Sequence, residues 1–436
     1  MSDLPSHSDV VIVGGGAAGL AAARQLTAAG VQVLLLEGAS RLGGRIATDT
    51  VDGYTLDRGF QVVNTAYPAL PDFVDVGRLD LRLFDHGVLV AGGQGRRLLA
   101  DPRHHLSQSA RSALPALRER PASLVGLVRL ALLSARLGYG DQRKLKAEPE
   151  TTAAAYLATR LDDATVRAIV EPFLTGVFGA EPLLTSSRVL TMIWRSFVRG
   201  RVGVPAAGMA RLIELLAAPL PPDCVRLGTP VTAVDGGHVQ TAAGLVQARA
   251  VIVAADPAAA ARLLPGLPVP AQRVLVTSYH AADEPPVDRP VLLLDGTGRT
   301  PIANSVVLTQ AAPGYAPAGR HLIATTTPAE AGLDEPALRR ALAGLYGRPA
   351  ADWQHLATVR AEPGLVTAPP PQGRLRQPVR LTGTLFVAGD HRDTPSLQGA
   401  LVSGRRAARA VLRELGLTAA AAATAAAPPP RPPAPA

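Results

Sequence analysis

The chain has 436 residues, 47% hydrophobic and 18% charged, enough apolar material for a large core over two or three domains, which excludes a disordered chain. A formal charge of +9 invites a nucleic-acid partner, but the arginines are scattered and no aromatic-basic stripe accompanies them, so no nucleic acid is expected. The single cysteine, Cys224, excludes an intrachain disulfide and a two-cysteine redox centre, and no Cys/His spacing suits a metal.

Val10 to Val13 is a short β-branched run suited to a strand buried on both faces of a parallel sheet. Gly14 then permits a tight turn, Gly16 removes a side chain that would block a pyrophosphate, and Gly19 lets the next helix pack closely on the strand. That helix keeps Gly19, Ala22, Ala23 and Leu26 on one face, and Gly30 lies where a left-handed residue would close it. Its amino end would face phosphates with unpaired N–H groups. Val31 to Leu36 supplies a second strand, and Glu37 at its end can accept both ribose hydroxyl hydrogens while repelling a 2′-phosphate. With the Gly43-Gly44-Arg45 turn, these residues describe a pocket for the ADP half of a dinucleotide, FAD being the one expected. No basic stretch precedes the apolar run, so it is a fold element and not a secretory signal, and no uncharged stretch reaches membrane-spanning length. A cytoplasmic location is the expectation.

Further along, Gly59 within Tyr54 to Val63 marks a bend where backbone comes near a ligand. Residues 79–99 read as meandering strands. From about 107 to 197 the pattern turns helical, with breaks expected at Pro121, Gly138 to Gly140 and Pro172. The basic, leucine-rich part of this insertion, 107–146, has two readings: a peripheral contact with an anionic membrane, or a cap whose arginines face water. Strands are expected at 225–227, 231–234, 237–241, 248–255, 273–281 and 291–295, and a helix at 336–346. A last buried strand delivers Gly389 and Asp390 to a loop, and a helix runs from about Ser396 to Leu415. The alanine and proline tail, 418–436, is expected to be disordered.

With both ends in view, the chain resembles the flavin-containing amine oxidase, phytoene desaturase and protoporphyrinogen oxidase superfamily, through separated blocks over most of its length. The resemblance implies an α/β fold: a discontinuous Rossmann-like FAD-binding domain (8–78, 203–265 and 375–417) and an α+β substrate domain (79–202 and 266–374) carrying a helical cap. It implies that Gly14, Gly16, Ala18 and Gly19 approach the pyrophosphate, that Glu37 takes the adenosine ribose, and that Arg45 neutralises phosphate charge. Phe60, Gln61 and Val62 would lie near the isoalloxazine, Val231 would meet the adenine, Gly389 and Asp390 would hold the ribityl chain, and Leu397 would present its N–H to the pyrimidine edge. The blocks Glu171 to Gly179, Thr185 to Arg188 and Pro205 to Met209 also look like the middle of desaturase-like members. There Phe173, Phe178, Trp194 and Phe197 either wall an apolar cavity or form helical core.

Departures sharpen the expectation. Ala39 stands where many amine oxidases carry arginine, and the only lysines, Lys144 and Lys146, lie far from the substrate-domain strand where such enzymes place one; Arg273 begins that strand instead. No cysteine lies near Asp390, so the FAD is expected to be non-covalent. Gly92 to Gly95 lacks the helix and acid of a second nucleotide fingerprint. The expected activity is therefore oxidation or desaturation of a small apolar substrate, isoprenoid-like or polycyclic, by hydride transfer to FAD, with oxygen, a quinone or another acceptor reoxidising it. A flavin amine oxidase is the second reading, and a non-catalytic flavin-binding interaction protein the third. No catalytic residue is assigned, although His391, Arg392 and Asp393 follow the flavin-binding pair.

Overall fold

A computed structural model describes residues 4–93, 95–100 and 123–417. The tail, Pro121, the first part of the basic insertion and Gln94 lie outside the described residues. The described residues form two compact units, one within 1–44, 216–269 and 376–417, the other within 45–215 and 270–375.

The first unit is a mixed eight-stranded sheet. Its parallel part runs Val225–Arg226, Val33–Leu36, His7–Val13, Gly244–Val253 and Leu385–Val387. Gly244–Val253 is long enough to pair twice along one edge, with His238–Thr241 beside its first half and Leu385–Val387 beside its second. Val10, Val11, Ile12, Leu35, Val251 and Val253 are almost wholly inaccessible, as a strand covered on both faces requires. Across the sheet Val13, Val253 and Val387 stand in one row, so the carboxyl ends of three strands finish together. The helix Ala17–Thr27 leaves the first of these strands and the helix Leu397–Glu414 follows the last. The two helices pack so closely that a Cβ on Gly404 would overlap the Ala18 carbonyl oxygen. Gly30, at φ +77, closes the turn after the first helix as expected, with its N–H bonded to Thr27 O.

The second unit is organised around a seven-stranded sheet in the order Gln354–Arg360, Leu275–Ala282, His321–Pro328, Asn304–Val307, Leu292–Asp295, Gly87–Gly92, Gly95–Ala100. Alternation along Leu275–Ala282 sends His280 and Ala282 toward the helix Glu335–Tyr346, and Tyr279 and Ala281 to the opposite face. On that opposite face sits the hairpin Thr48–Val51 and Tyr54–Asp57. Asp57, 3% exposed, fastens it. Its carboxylate accepts from Thr48 Oγ1 at 2.6 Å, Met209 N at 2.8 Å and Tyr315 Oη at 3.0 Å, and its carbonyl accepts from Tyr279 Oη at 2.8 Å. Burial pushes this carboxyl above the usual range, and the three donors oppose the shift. Residues 45–78 group with the second unit, and these bonds tie the hairpin to it.

The helical part contains Leu124–Tyr139, Gln142–Ala147, Ala153–Ala158, Glu171–Phe178 and Ser187–Arg199. The break expected at Gly138 to Gly140 comes at Gly140; Gly138 itself is the close-packing glycine of the helix Leu124–Tyr139, where a side chain would overlap Val198. The break expected at Pro172 falls differently, because the preceding turn, Val166–Val170, widens to π geometry and Glu171–Phe178 continues from it. Proline lacks an N–H and crowds the carbonyl four residues back, and a widened turn accommodates both defects.

Candidate functional site

The turn after the first strand is built from glycines that have little choice. Gly14 has φ +107, and a Cβ on it would stand 2.7 Å from the Ala254 carbonyl oxygen. A Cβ on Gly19 would overlap the Gly14 carbonyl oxygen. Gly16 differs, because the nearest protein atom to a Cβ placed there is Gly43 O at 4.0 Å. That glycine borders open space. Ala18 is buried in the first turn of the helix, against the helix Leu397–Glu414.

A second loop closes on the first. Gly43 N donates to Gly15 O at 2.9 Å and the backbones at Gly16 and Gly43 form a parallel bridge, while Gly43 and Gly44 take φ +117 and +59. The sequence shows this glycine pair but not its task, which is to let two backbones meet over one space. Glu37 is fixed between them: Oε2 accepts from Gly15 N at 2.6 Å and Oε1 from Ala39 N at 2.8 Å. Both oxygens keep lone pairs for further donors. Glu37 N donates to Arg226 O, Thr229 N donates to Glu37 O, and Gly38 abuts Pro230, which brings Val231, the first residue of the strand Val231–Val234, next to this turn.

At the neighbouring strand end Gly389 has φ +152 and donates its N–H to Ser403 Oγ at 3.0 Å. Asp390 is 6% exposed and opens a single 3-10 turn, Asp390–Arg392. Ser396 caps the following helix by accepting from Gly399 N, so Leu397 is its first residue and the Leu397 N–H has no intrahelical acceptor. Gly14, Gly16, Gly19, Glu37, Val231, Gly389, Asp390 and Leu397 thus share one unit, most of them beyond the carboxyl ends of its parallel strands, where open α/β sheets hold ligands. Arg392 and Asp393 are structural instead. Arg392 donates Nε and Nη2 to Pro378 O, and Asp393 pairs with Arg406 at 3.2 Å and Arg376 at 3.5 Å.

The remaining candidates lie in the second unit. Gln61 Nε2 donates to Arg45 O at 2.8 Å, which ties Arg45 to the segment of Phe60, Gln61 and Val62, and its Oε1 is buried with no partner. Phe60 N donates to Thr277 Oγ1 at 3.1 Å, and the Phe60 ring meets Phe84 edge-on at 6.0 Å. Gly59, at φ +93, makes the bend just before them. Arg273 sits in a two-residue strand, Gln272–Arg273, and is ion-paired with Glu181. Phe173 meets Trp194 and Phe197 at 5.8 and 5.0 Å, and these three rings are half-buried against the helical core, while Phe178 is buried in that core and also lines a cavity with Leu184 and Arg273.

Among the described residues no cluster of His, Cys, Asp or Glu could hold a metal, and no helix is long and apolar enough to cross a membrane. Cys224 is buried, and burial pushes its thiol up to about 11.

The family described as flavin containing amine oxidoreductase matches residues 17–412. Coproporphyrinogen III oxidase of Propionibacterium freudenreichii subsp. freudenreichii is 31% identical over 183 residues, 40% of this chain and 32% of that protein. Putrescine oxidase of Kocuria rosea is 29% identical over 260 residues, 54% of this chain and 52% of that protein. The chain therefore matches less than two thirds of the length of either relative. Among solved structures, a proposed protoporphyrinogen oxidase from Exiguobacterium sp. 255-15 superposes with a TM-score of 0.70 at 19% identity, covering 95% of this chain and all of that one. Wild-type putrescine oxidase bound to putrescine gives 0.67 at 19% identity, covering 93% and 99%. The structural likenesses speak to fold, the family match spans most of the sequence, and the chain belongs to the flavin-containing amine oxidoreductases.

Proposed function

We propose that this chain binds FAD without a covalent link and oxidises a small apolar substrate. The observation that carries the cofactor reading is the paired glycine cradle, in which Gly16 borders open space between two backbones while Glu37 stands fixed beside it. In this reading Gly14, Gly16, Ala18 and Gly19 admit the pyrophosphate, Glu37 accepts from the ribose, and Val231 meets the adenine. Asp390 holds the ribityl chain, and Arg45 and the segment Phe60 to Val62 serve the phosphate and the ring system. Most of the nucleotide role falls to the first unit, and the substrate role to the second, which also carries Arg45 and Phe60 to Val62. FAD, when bound, supplies a two-electron acceptor for hydride. The chain supplies the rest: backbone N–H groups for the diphosphate, and a helix terminus at Leu397 whose dipole favours negative charge by about 0.3–1 kcal/mol.

Non-covalent binding is supported by the lone Cys224, buried beside Val225 and Leu35 with a protonated thiol. An apolar substrate is supported by the absence of any lysine outside the helix Gln142–Ala147 and by the engagement of Arg273 with Glu181, which leave the second unit's sheet without the lysine of amine-oxidising relatives. An amine is the second reading, favoured by the longer span of the putrescine oxidase match.

Purified protein should be yellow, and acid precipitation should release all of the flavin as FAD. Anaerobic titration with tetrapyrrole, isoprenoid and amine panels should bleach the flavin with a member of the first two. Colourless protein that takes up no FAD overturns the cofactor reading, and bleaching by amines alone overturns the substrate reading.

A further inference from the structure

The helix Leu124–Tyr139 has two apolar faces, and among the described residues only one of them is packed. Leu133 and Leu137 are buried against Ser187–Arg199, fixed there by Trp194 Nε1 donating to Ser134 Oγ at 3.1 Å and Arg195 Nη1 donating to Leu137 O at 2.8 Å. On the other side Val125, Val128 and Leu132 are 60%, 58% and 65% exposed. Ala135 and Tyr139 extend the same line at spacings of three and four residues, so the exposed residues form a continuous stripe. A helix facing water would carry its charges at these positions. An apolar stripe of this kind marks an interaction surface.

Charge indicates what it meets. Between 124 and 147 five cations accompany a single carboxylate, Asp141, and both of the chain's lysines are among them. Arg136 turns to Glu148 and Arg129, one turn from both Val125 and Leu132, is exposed with Asp162 near it, while the helix Gln142–Ala147 exposes Arg143, Lys144 and Lys146. Asp141 is occupied as that helix's cap, accepting from Arg143 N at 2.8 Å. No described helix can cross a bilayer, so the stripe suits lying on one.

We propose that this face docks onto an anionic bilayer surface, with Val125, Val128 and Leu132 entering the acyl boundary and Arg129, Arg143, Lys144 and Lys146 meeting lipid phosphates. Docking of this kind is independent of which substrate the enzyme oxidises.

The test is flotation of the full-length, flavin-loaded protein with vesicles of phosphatidylcholine alone or mixed with phosphatidylglycerol. The wild type should float with the anionic vesicles, more weakly with neutral ones, and less as salt rises. Val128→Asp with Leu132→Glu should lower partitioning at least tenfold with flavin content and circular dichroism unchanged. Replacing Arg143, Lys144 and Lys146 by alanine should lower it roughly fivefold per cation on anionic vesicles and little on neutral ones. The proposal is overturned by wild type that stays at the bottom of every gradient or by variants that float like wild type. It is equally overturned by a wild-type dimer that the Val128→Asp, Leu132→Glu variant converts to monomer, which would assign the stripe to a second copy of the chain.

Discussion

Two glycines of one loop should fail in different ways. In Gly16→Ala the new methyl group meets no protein atom nearer than 4.0 Å, and φ −76 at this position suits alanine. Losing glycine at the helix N-cap costs a few tenths to about 1 kcal/mol, so flavin-free protein should unfold at nearly the wild-type urea concentration. The methyl does fill the space assigned to the diphosphate. A hydrogen bond to a charged group is worth about 1.5–3 kcal/mol, so displacing the ligand from even one loop N–H predicts FAD binding weakened roughly ten- to a hundredfold. In Gly19→Ala the methyl instead overlaps the carbonyl of Gly14, whose N–H is pinned to Leu36 O at 2.8 Å, and the helix must retreat by roughly 1 Å. Alanine regains about 1 kcal/mol of helix propensity, while overpacking against backbone costs about 3 kcal/mol, leaving a net loss near 2 kcal/mol. Urea unfolding of the flavin-free variants by circular dichroism, followed by titration with FAD, separates the two effects. Gly16→Ala binding FAD like wild type, or both variants unfolding together, would refute this division of tasks.

Glu37→Gln replaces a carboxylate that accepts from Gly15 N and Ala39 N, so one loop N–H should face an amide NH2; FAD affinity should fall about tenfold, measured on the same titration. His280 is buried beside Glu335 and His355, and burial holds its imidazole down at about 4 against an ordinary 6.5. The neutral ring is the folded form, so its contribution is complete above about pH 6.5 and is lost as pH falls toward 4, by a few kcal/mol. His280→Gln should flatten the acid limb of the stability curve, and an unchanged limb would place the acid sensitivity elsewhere. Cys224 should be silent toward a thiol reagent at pH 8 in the folded protein and titrate as one thiol in urea; fast modification of the native state would contradict its burial.

Legibility in the sequence followed how local each cause is. Gly14, Gly19 and Gly30 declare their tasks because the strand, turn and helix they serve lie within a short stretch of chain. The helix Leu397–Glu414 was visible for the same reason, through Ser396 and the glycine end of the strand before it. Pro172 misled because a π turn upstream absorbs its missing N–H, and no residue type advertises such a turn. The fastening of Asp57 by Thr48, Met209, Tyr279 and Tyr315 draws on partners up to 258 positions away, so the carboxylate reads as ordinary turn chemistry until the fold exists. Gly43 and Gly44 were plain to see, but their meeting with Gly15 and Gly16 is a tertiary fact. Phe173, Trp194 and Phe197 carry the same sequence signal for core and for cavity wall, and their edge-on packing, half-buried against the helical core, is compatible with both.

The clasp of Gly404 on Ala18 has a consequence for the nascent polypeptide. Among the described elements His7–Val13 and Ala17–Thr27 leave the ribosome before their partners Gly244–Val253 and Leu397–Glu414. At translation rates of roughly 5–20 residues per second, the opening βα unit must wait from about twenty seconds to over a minute before its far neighbour is synthesised. During that interval an apolar strand and one bare flank of an alanine-rich helix stand open, which makes the amino-terminal fragment a natural client for holding chaperones and makes translational pausing late in the message a point of vulnerability.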